Sequence, residues 1–368
     1  MWQAEVQIDL GAITSNIALL ASGTSAQVMA VVKGDGYGHG AVPSARAALA
    51  GGATWLGVCT LGEAFELREA GLTTPTMAWL WMPGQPVASA IKQDIDLGVS
   101  SIGHLKAVID AARETGQPAR IHLKIDTGLS RSGATPADWP TLVEAAARAQ
   151  KEGLVKAIGV WSHFVYADEP GHETIDRQLD VFHDGLEIAK RHGLDPQLRH
   201  IANSAATLTR PDTHFDLVRP GVASYGLSPV EGQSFGLRPA MTARAQAMLV
   251  KRIPQGQGIS YGHTYFTAAQ ANVVLVPLGY ADGVPRHASS SGPVQINGKR
   301  YKVSGRVCMD QFVVDVGDAQ VTEGDEVILF GTGEHGEPTA DDWARACGTI
   351  NYEIVTRFGS ARVPRTYV

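Results

Sequence analysis

Short apolar runs alternate with helical patterns over the first two thirds of the chain. Most runs have strand length and contain β-branched residues, and the stretches between them carry apolar residues at helical spacing. The predicted strands are 29–32, 55–58, 76–80, 95–99, 119–125, 155–162, 198–202 and 215–218. The helical patterns include 62–70, 104–114, 136–150 and 174–191. Eight strands that alternate with helices predict an α/β fold with an N-terminal (β/α)8 TIM-type barrel, and a doubly wound open sheet is the alternative.

The pattern changes after Pro229. Turns that contain glycine or serine separate short β-branched runs, and no long helical pattern occurs before 340–347. The runs are 245–253, 273–277, 294–296, 302–307, 312–316 and 326–330. They predict a mostly β C-terminal domain at residues 236–368, into which residues 1–8 pair, after a barrel at residues 9–235.

Composition is that of an ordinary globular enzyme. The 368 residues are 44% hydrophobic and 18% charged, and the net charge of −6 argues against a nucleic-acid partner. Three widely spaced cysteines make no disulfide framework, which favours a reducing cytoplasm. The first ten residues show no signal peptide, no apolar run approaches the roughly 20 residues of a membrane span, and no histidine pair has metal-ligand spacing. We therefore expect a cytoplasmic protein with no membrane segment and no metal.

A lysine stands where the first barrel strand ends. Lys33 follows the run 29–32 and precedes a loop with four glycines in seven residues, and the alanine-rich stretch 41–50 then predicts a helix. Backbone N–H groups of such a loop suit phosphate, and a lysine at a buried strand end can lose its proton and become a nucleophile. This combination suggests a pyridoxal phosphate (PLP) site, although the glycine spacing matches neither common phosphate fingerprint. A surface lysine before a turn is the alternative interpretation.

Polar residues also follow four other predicted strands. Active sites of such barrels lie at the C-terminal ends of the strands, where side chains from several strands meet. Each residue alone has a structural explanation, but their common position favours one site. They are Lys124, Asp126 and Arg131 after the fifth strand, Ser162 and His163 after the sixth, Asn203 and Ser204 after the seventh, and Arg219 after the eighth.

Residues 32–40, with the sequence VKGDGYGHG, closely resemble the PLP-attachment signature of the alanine racemase family. In that family the lysine forms the internal aldimine with PLP and the tyrosine contacts its phosphate. The resemblance implies these roles for Lys33 and Tyr37. Gly34 and Gly36 stand where alanine is common, and we expect them to loosen the loop slightly.

Two further barrel regions extend the resemblance. The segment KIDTGLSRSG at 124–133 is similar to the family's KxDTGMxRxG, which implies that Arg131 reaches the cofactor's phenolic oxygen and the substrate carboxylate. It gives Lys124, whose counterpart is carbamylated in some members, a supporting role. The SHF segment at 162–164 implies that His163 lies near the pyridine ring, and HIANS at 200–204 implies that Ser204, after Asn203, contacts the phosphate.

The segment RPGV at 219–222 resembles the family's RPGI. In the family the arginine faces the pyridine nitrogen and backbone groups of the next residues help bind phosphate, which implies a cofactor site that includes Arg219, Gly221 and Val222. A guanidinium keeps its proton at ordinary pH, so the ring nitrogen should stay unprotonated. The ring is then a weaker electron sink, which disfavours side reactions such as transamination.

Four segments of the β domain also resemble the family. GISYG at 258–262 implies that Tyr261 is the second catalytic base, and GYADG at 279–283 brings Tyr280 to the substrate. GRVCMDQ at 305–311 implies that Met309 and Asp310 help hold substrate. NYEI at 351–354 implies that Tyr352 lines the entrance to the cofactor site.

The resemblance implies an alanine racemase that interconverts L-alanine and D-alanine through a PLP external aldimine. Lys33 takes the α-proton from D-alanine and Tyr261 takes it from L-alanine. A tyrosine of ordinary pKa, about 10, needs nearby positive charge for this role, and Arg131 and Arg219 are both candidates. In the family the tyrosine comes from the partner subunit of a head-to-tail homodimer, and D-alanine usually supplies peptidoglycan synthesis.

Three alternatives share parts of this pattern. A broader-specificity racemase acting on serine or other small amino acids is the nearest, although such enzymes tend to be exported. A PLP-dependent decarboxylase of basic amino acids usually sets a carboxylate, and not an arginine such as Arg219, against the ring nitrogen. A non-catalytic PLP-binding protein has a similar barrel and lysine but lacks the β domain.

Overall fold

Eight parallel strands form a barrel-like sheet in the first of two units of the computed structural model. The model describes residues 2–358 and 362–368. This unit comprises Thr14–Gly36 and Ala41–Leu237. With β1 (Ala4–Ile8) counted first in the chain, its strands are β2 (Gln27–Val31), β3 (Trp55–Val58), β4 (Thr76–Ala78), β5 (Ile95–Val99), β6 (Ala119–Lys124), β7 (Val155–Trp161), β8 (Leu198–His200) and β9 (Leu217–Val218).

The sheet closes on itself. The strand order is β8-β7-β6-β5-β4-β3-β2-β9 with parallel pairing throughout. Backbone hydrogen bonds from Asp216 to Arg199 (3.1 Å) and from Arg219 to Ala202 (3.0 Å) join the two ends of that order. The prediction of a (β/α)8 barrel is therefore confirmed, and the open doubly wound sheet is wrong.

Helices follow the strands as the alternating pattern predicts. They are α1 (Leu10–Ser22), α2 (Ala41–Ala50), α3 (Leu61–Glu69), α4 (Val87–Lys92), α5 (Ile102–Thr115), α6 (Trp139–Lys151), α7 (Thr174–Arg191) and α8 (Ser204–Thr209). Three strands are shorter than predicted: β4 ends at Ala78, β8 ends at His200, and β9 begins at Leu217.

Large side chains fill the barrel interior, and glycines on alternate strands make room for them. The interior cluster contains Met29, Trp55, Met77, Ile158, Trp161, Leu198 and Leu217, with Trp79 packed against it. A Cβ atom at Gly57 would lie 2.9 Å from Met29 and Trp79, and one at Gly98 would lie 2.9 Å from Trp79. Interiors of such barrels pack side chains in layers from alternate strands, and these glycines provide the small positions of that packing.

The second unit is mostly β and comprises Met1–Ile13, Tyr37–Gly40 and Arg238–Val368. A six-stranded sheet has the order β16-β15-β18-β10-β1-β19, a three-stranded sheet β11-β14-β17, and β12 pairs with β13. The strands are β10 (Met241–Gln246), β11 (Leu249–Ile253), β12 (Gly258–Ile259), β13 (Tyr265–Phe266), β14 (Ala271–Val276), β15 (Pro293–Ile296), β16 (Lys299–Lys302), β17 (Phe312–Gly317), β18 (Glu326–Phe330) and β19 (Arg365–Tyr367), with helices α9 (Ala340–Cys347) and α10 (Asn351–Arg357).

Two strand predictions in this unit are wrong. The run 245–253 is two strands in different sheets, because Ala247 and Met248 turn the chain between β10 and β11. The run 302–307 leaves β16 after Lys302, and Gly305 has a positive φ of 83° that a strand does not accommodate. None of the helices in the described part of the chain combines the length and apolarity needed to cross a bilayer.

Candidate active site

Lys33 lies directly after β2, where the chain makes a left-handed turn. The φ angles of Gly34, Asp35, Gly36 and Tyr37 are 61°, 52°, 62° and 52°. Glycine adopts this conformation without the steric cost that a Cβ atom brings. The two glycines therefore relieve strain in this left-handed turn.

Three backbone N–H groups in the glycine-rich loop and at the start of the helix after it have protein acceptors. Glu63 Oε1 accepts from Gly34 (2.6 Å), Asp35 Oδ1 accepts from Ala41 (2.8 Å), and Val32 O accepts from Gly36 (2.9 Å). These three N–H groups therefore bind protein acceptors, and a phosphate site at the remaining amides of the loop stays a prediction. The carboxylate partners of these groups hold the loop in one conformation.

Burial lowers the pKa of the Lys33 ammonium. The charges of Cys59 and Glu63 raise this pKa, whereas those of Arg131 and Arg219 lower it further. The Nζ atom lies 6.0 Å from the centre of the Trp79 ring. A lysine in this environment gives up its proton more readily than an exposed one, as a nucleophile or base requires.

Lys124 ends β6 and faces the same cations. The pKa of its ammonium is lowered to about 7, chiefly by burial and also by Arg131 and Arg219, while Asp126 opposes the shift. Nζ donates a 2.6 Å hydrogen bond to Ser132 Oγ and lies 4.5 Å from the centre of the Trp161 ring. The amine is therefore partly neutral near pH 7.

Arg219 follows β9 and is almost completely buried, with 5% of its surface exposed. Its Nη2 donates to Ser162 O (2.8 Å) and Ile201 O (3.2 Å), and its Nη1 donates to His200 Nδ1 (3.1 Å). Burial lowers the pKa of the guanidinium to about 9, so it is still a cation at neutral pH. Within residues 2–358 and 362–368, no carboxylate lies within ion-pair distance of it.

His163 lies beside this cation, with 3.3 Å between His163 Nδ1 and Arg219 Nη2. Burial lowers the pKa of the imidazole well below its ordinary value, and Arg219, Arg131, Lys124 and Lys33 lower it further. The imidazole is therefore neutral at physiological pH and can accept a hydrogen bond from a neighbouring cation.

Ser204 connects the ends of β8 and β9. Its Oγ accepts hydrogen bonds from the N–H groups of Gly221 (2.8 Å) and Ala223 (3.3 Å). The described chain supplies no acceptor for the serine's own O–H, which is available to an anion. Asn203 has a structural task here, since its Oδ1 caps α8 by accepting from Ala206 (3.1 Å). Val222 begins the 3-10 turn Val222–Tyr225 that follows Gly221.

The barrel mouth fits PLP. Four cations act on one another there, namely Lys33, Lys124, Arg131 and Arg219. The two carboxylates that oppose them are engaged in backbone hydrogen bonds: Glu63 with Gly34, Cys59 and Thr60, and Asp126 with Gly128 and Ser130. The excess positive charge suits a phosphate and a carboxylate, and a lysine of lowered pKa suits a reactive carbonyl.

Tyr261 lies in the second unit, on the short 3-10 turn Tyr261–His263, and is 71% exposed. The preceding Ser260 has φ 61° and ψ −173°, a strained conformation for a residue other than glycine. Its Oγ donates to Arg306 O (2.7 Å), which holds the turn against the neighbouring loop. The strain therefore lies beside the tyrosine that the resemblance makes catalytic.

Tyr280 and Met309 lie on two backbone segments that are hydrogen-bonded together. Tyr280 N–H donates to Cys308 O (3.1 Å) and Ala281 N–H to Met309 O (2.9 Å). Gly279 permits this approach, because a Cβ atom there would overlap Met309 C and O. Tyr280 and Met309 are both at least two-fifths exposed, so a substrate can reach their side chains.

Asp310 forms an ion pair that the sequence did not predict. Arg362 Nη1 lies 2.7 Å from its Oδ1, and Arg362 Nε lies 3.3 Å from Asp282 Oδ1. The remaining predicted residues of this unit are Tyr37 and Tyr352, whose ring centres are 6.3 Å apart. The structure thus brings the predicted residues together in two groups, one at the barrel mouth and one in the second unit.

Sequence reasoning missed several polar residues of the barrel. Glu63 binds the lysine loop, while Asp96 and His122 lie deeper, on β5 and β6. The sequence feature that could have identified the last two is a polar residue inside an otherwise apolar strand: Asp96 in IDLGV and His122 in ARIHLK. Such a residue is buried in a barrel and needs a polar partner, which the sequence does not identify.

Comparisons with known proteins match both units of the chain to one family. Residues 8–229 match the model of the alanine racemase N-terminal domain, and residues 240–367 match that of the C-terminal domain. The chain is 66% identical over 367 residues to an alanine racemase of Salinispora tropica, covering 100% of this chain and 99% of that relative.

Two solved structures show the same fold. The crystal structure of alanine racemase from D-cycloserine-producing Streptomyces lavendulae has a TM-score of 0.98 at 54% identity, covering 100% of this chain and 97% of that chain. Alanine racemase from Bacillus anthracis with bound L-Ala-P has a TM-score of 0.92 at 35% identity, with coverages of 100% and 96%.

Proposed function

This chain belongs to the alanine racemase family, and we propose that it interconverts L-alanine and D-alanine with PLP as its cofactor. The observation that carries the proposal is the placement of Lys33. Its amine lies at a strand end, its pKa is lowered by burial, and Arg131 and Arg219 act on it. A reactive amine among cations suits a phosphorylated aldehyde and a substrate carboxylate.

The residues of the barrel mouth divide the binding tasks. Ser204 donates its O–H to the phosphate, next to Gly221 and Val222, and Tyr37 adds a further phosphate contact. Arg131 binds the substrate carboxylate through its planar fork. Arg219 donates to the pyridine nitrogen, with His163 neutral beside it. When bound, PLP withdraws electrons from the amino acid and so makes its α-proton acidic enough to remove.

Lys33 and Tyr261 exchange the α-proton on opposite faces. The Lys33 amine takes it at Nζ from D-alanine, and Tyr261 takes it at Oη from L-alanine. We propose a head-to-tail homodimer in which each site uses the partner's tyrosine, and the 71% exposure of Tyr261 in one chain agrees with this. Tyr280, Met309, Asp310 and Tyr352 would line the substrate side and the entrance.

Lys124 would support Arg131 as a carbamate. Carbon dioxide reacts with a neutral amine, and the pKa of about 7 provides one near physiological pH. The carbamate would place a negative charge among cations and would offset their repulsion. D-Alanine would serve peptidoglycan synthesis, and the three free cysteines agree with a cytoplasmic setting.

Racemisation in heavy water tests this function. Purified protein with PLP is incubated with L-alanine or D-alanine, and chirality and α-deuterium are followed together. We expect wild type to invert alanine with deuterium uptake, Lys33→Ala to lose both, and Tyr261→Phe to lose chiefly the removal of the L-proton. Tyr265→Phe is the matched control, since its hydroxyl donates to Asp315 (3.0 Å). Equal effects of the two tyrosine variants would refute the role of Tyr261.

Mixing the inactive variants tests the shared site. Lys33→Ala and Tyr261→Phe chains are dissociated, combined and reassociated, and alanine inversion is measured against each variant alone. A site built from two chains regains activity, because one combination of the mixed dimer has both bases intact. No recovery despite proven mixed dimers refutes the shared site. L-Serine, tested in parallel, separates alanine specificity from the broader racemase.

A further inference from the structure

A chain of side-chain hydrogen bonds runs through the barrel interior from Arg219 to the opposite end of the strands. Arg219 Nη1 contacts His200 Nδ1 (3.1 Å), His200 Nε2 contacts His122 Nδ1 (2.9 Å), and His122 Nε2 contacts Asp96 Oδ2 (3.0 Å). Both imidazoles and Asp96 have no exposed surface. Arg120, near the start of β6, contacts both Asp96 oxygens at 2.6 and 3.1 Å.

The two ends of this chain determine where its protons lie. The guanidinium only donates, so His200 Nδ1 accepts and the His200 proton is on Nε2. That N–H donates to His122 Nδ1, so the His122 proton is also on Nε2, where it donates to the Asp96 carboxylate. A cation at one end and an anion at the other thus select one tautomer of each neutral histidine.

The barrel is built to admit these rings. A Cβ atom at Gly159 would overlap His122 Nδ1, and the β6–β7 pairing shifts register at Ile121/His122. Trp161 stacks on His200 with an angle of 4° between the planes, and Trp55 meets His122 edge-on at 80°. The positions of both imidazoles are therefore fixed by three features: the absence of a Cβ atom at Gly159, the register shift and the two tryptophan rings.

We propose that Asp96 and His122 are positioning residues for Arg219, acting through His200. Arg219 has no carboxylate neighbour of its own within the described chain, and this relay makes Asp96 its remote counter-charge. Through His200, Asp96 then fixes the position of Arg219 Nη1, while Ser162 O and Ile201 O hold Nη2. The functional consequence rests on the proposed function of Arg219, whereas the relay itself does not.

The competing explanation is that Asp96 and Arg120 only join β5 to β6. The structure offers a matched control in Asp216, which forms the same two-point contact with Arg199 (2.7 and 3.0 Å) but contacts neither histidine of the relay. A mere strand connection predicts equal effects of Asp96→Asn and Asp216→Asn, and a relay predicts different ones.

Nitrogen-15 NMR of histidine-labelled full-length protein, with and without PLP, reads the relay directly. We expect both His122 and His200 of the wild type to be neutral with the proton on Nε2. Asp96→Asn should mix the tautomers of His122 and alter the Nε2 signal of His200, which lies beyond the substituted residue's contacts. Asp216→Asn should change neither. Gly159→Ala, which keeps every polar group but displaces the His122 ring, should reproduce the His200 change.

Kinetics add the functional readout. We expect Asp96→Asn to lower kcat for alanine at least tenfold with KM changed less than threefold, and Asp96→Glu to restore part of the loss. An unchanged His200 signal in Asp96→Asn and Gly159→Ala, or the same changes in Asp216→Asn, would overturn the relay. Altered signals in a protein whose wild type does not racemise alanine would support the relay and refute the proposed function.

Discussion

Glu63 accepts a hydrogen bond from the backbone N–H of Gly34, with 2.6 Å between Oε1 and the nitrogen. Its Oε2 accepts from Cys59 and Thr60, each at 2.8 Å, and so completes the capping box of α3. One carboxylate therefore joins the residue after Lys33 to the loop that follows β3. The position of the reactive lysine depends on a side chain from the next βα unit.

Glu63→Ala should lower both stability and activity. It leaves three backbone N–H groups without their carboxylate and removes half of a capping box, and we expect a loss of about 2–3 kcal/mol in the free energy of unfolding. Alanine racemisation should fall further than stability explains, because the Lys33 turn loses its anchor. Urea unfolding and kcat, measured beside the exposed Glu66→Ala on the same helix, check this. Equal behaviour of the two variants would contradict it.

Gly36→Ala should strain the left-handed turn. Gly36 has φ 62°, and a Cβ atom there would lie 3.0 Å from Ser44 Oγ. The conformation costs an alanine roughly 1–2 kcal/mol and the contact adds to it, so both unfolding free energy and activity should fall. Gly116→Ala is the control, because Gly116 has φ 68° and open space around it. The Gly116→Ala variant should lose stability but keep its activity. A fully active Gly36→Ala enzyme would refute the link between this turn and Lys33.

Lys124 should make stability depend on pH. Its pKa falls from 10.5 in the ordinary state to about 7 in the folded protein, so the unfolded chain binds more protons between these values. Wild-type stability should therefore rise relative to Lys124→Met as pH increases above 7, by at most about 1.4 kcal/mol per pH unit. Urea unfolding from pH 6.5 to 9, in buffers free of carbon dioxide so that Lys124 keeps its free amine, measures the difference. The exposed Lys151→Met should give a curve parallel to wild type; a parallel curve for Lys124→Met would disprove the shift.

Ser204→Ala should weaken cofactor binding. The substitution removes the O–H that we assign to the phosphate and the acceptor that Gly221 and Ala223 share. Loss of one hydrogen bond to a charged group is worth about 1.5–3 kcal/mol, so the Kd for PLP should rise at least tenfold. Fluorescence titration of cofactor-free protein measures it. Ser224→Ala, in the same 3-10 turn, removes a 3.3 Å bond to Pro220 O and should leave the Kd unchanged.

The sequence predicts long, strongly periodic elements best. The bounds of α2, α7, α9 and β5 match the prediction, because each has a clear period and clear breaks at its ends. The runs 245–253 and 302–307 were misjudged, since a short apolar stretch does not reveal a change of sheet or a single glycine at positive φ. Residue order alone cannot report these tertiary constraints.

The sequence likewise predicted one part of the site and missed another. Motifs located Lys33, Lys124, Arg131 and Arg219 at strand ends, and the barrel brings them together. Glycine spacing did not reveal the handedness of the lysine loop or that Glu63 binds the N–H group of Gly34. The contacts of His122 with Asp96 and His200 join residues 26 and 78 positions apart, and only the closed sheet makes them neighbours.

The strand β1 pairs with β10 on one side and with β19 on the other, so that Val6 lies opposite both Ala243 and Arg365. During synthesis, β1 is therefore made long before β10, and longer still before β19. The barrel residues, which are contiguous apart from Tyr37–Gly40, can collapse while the first strand is still without its sheet. Pairings so distant along the chain form slowly, because loop closure precedes any gain from the contacts. The strand β1 is thus without a sheet until β10 has been made, and chaperones that hold nascent chains would act in that interval.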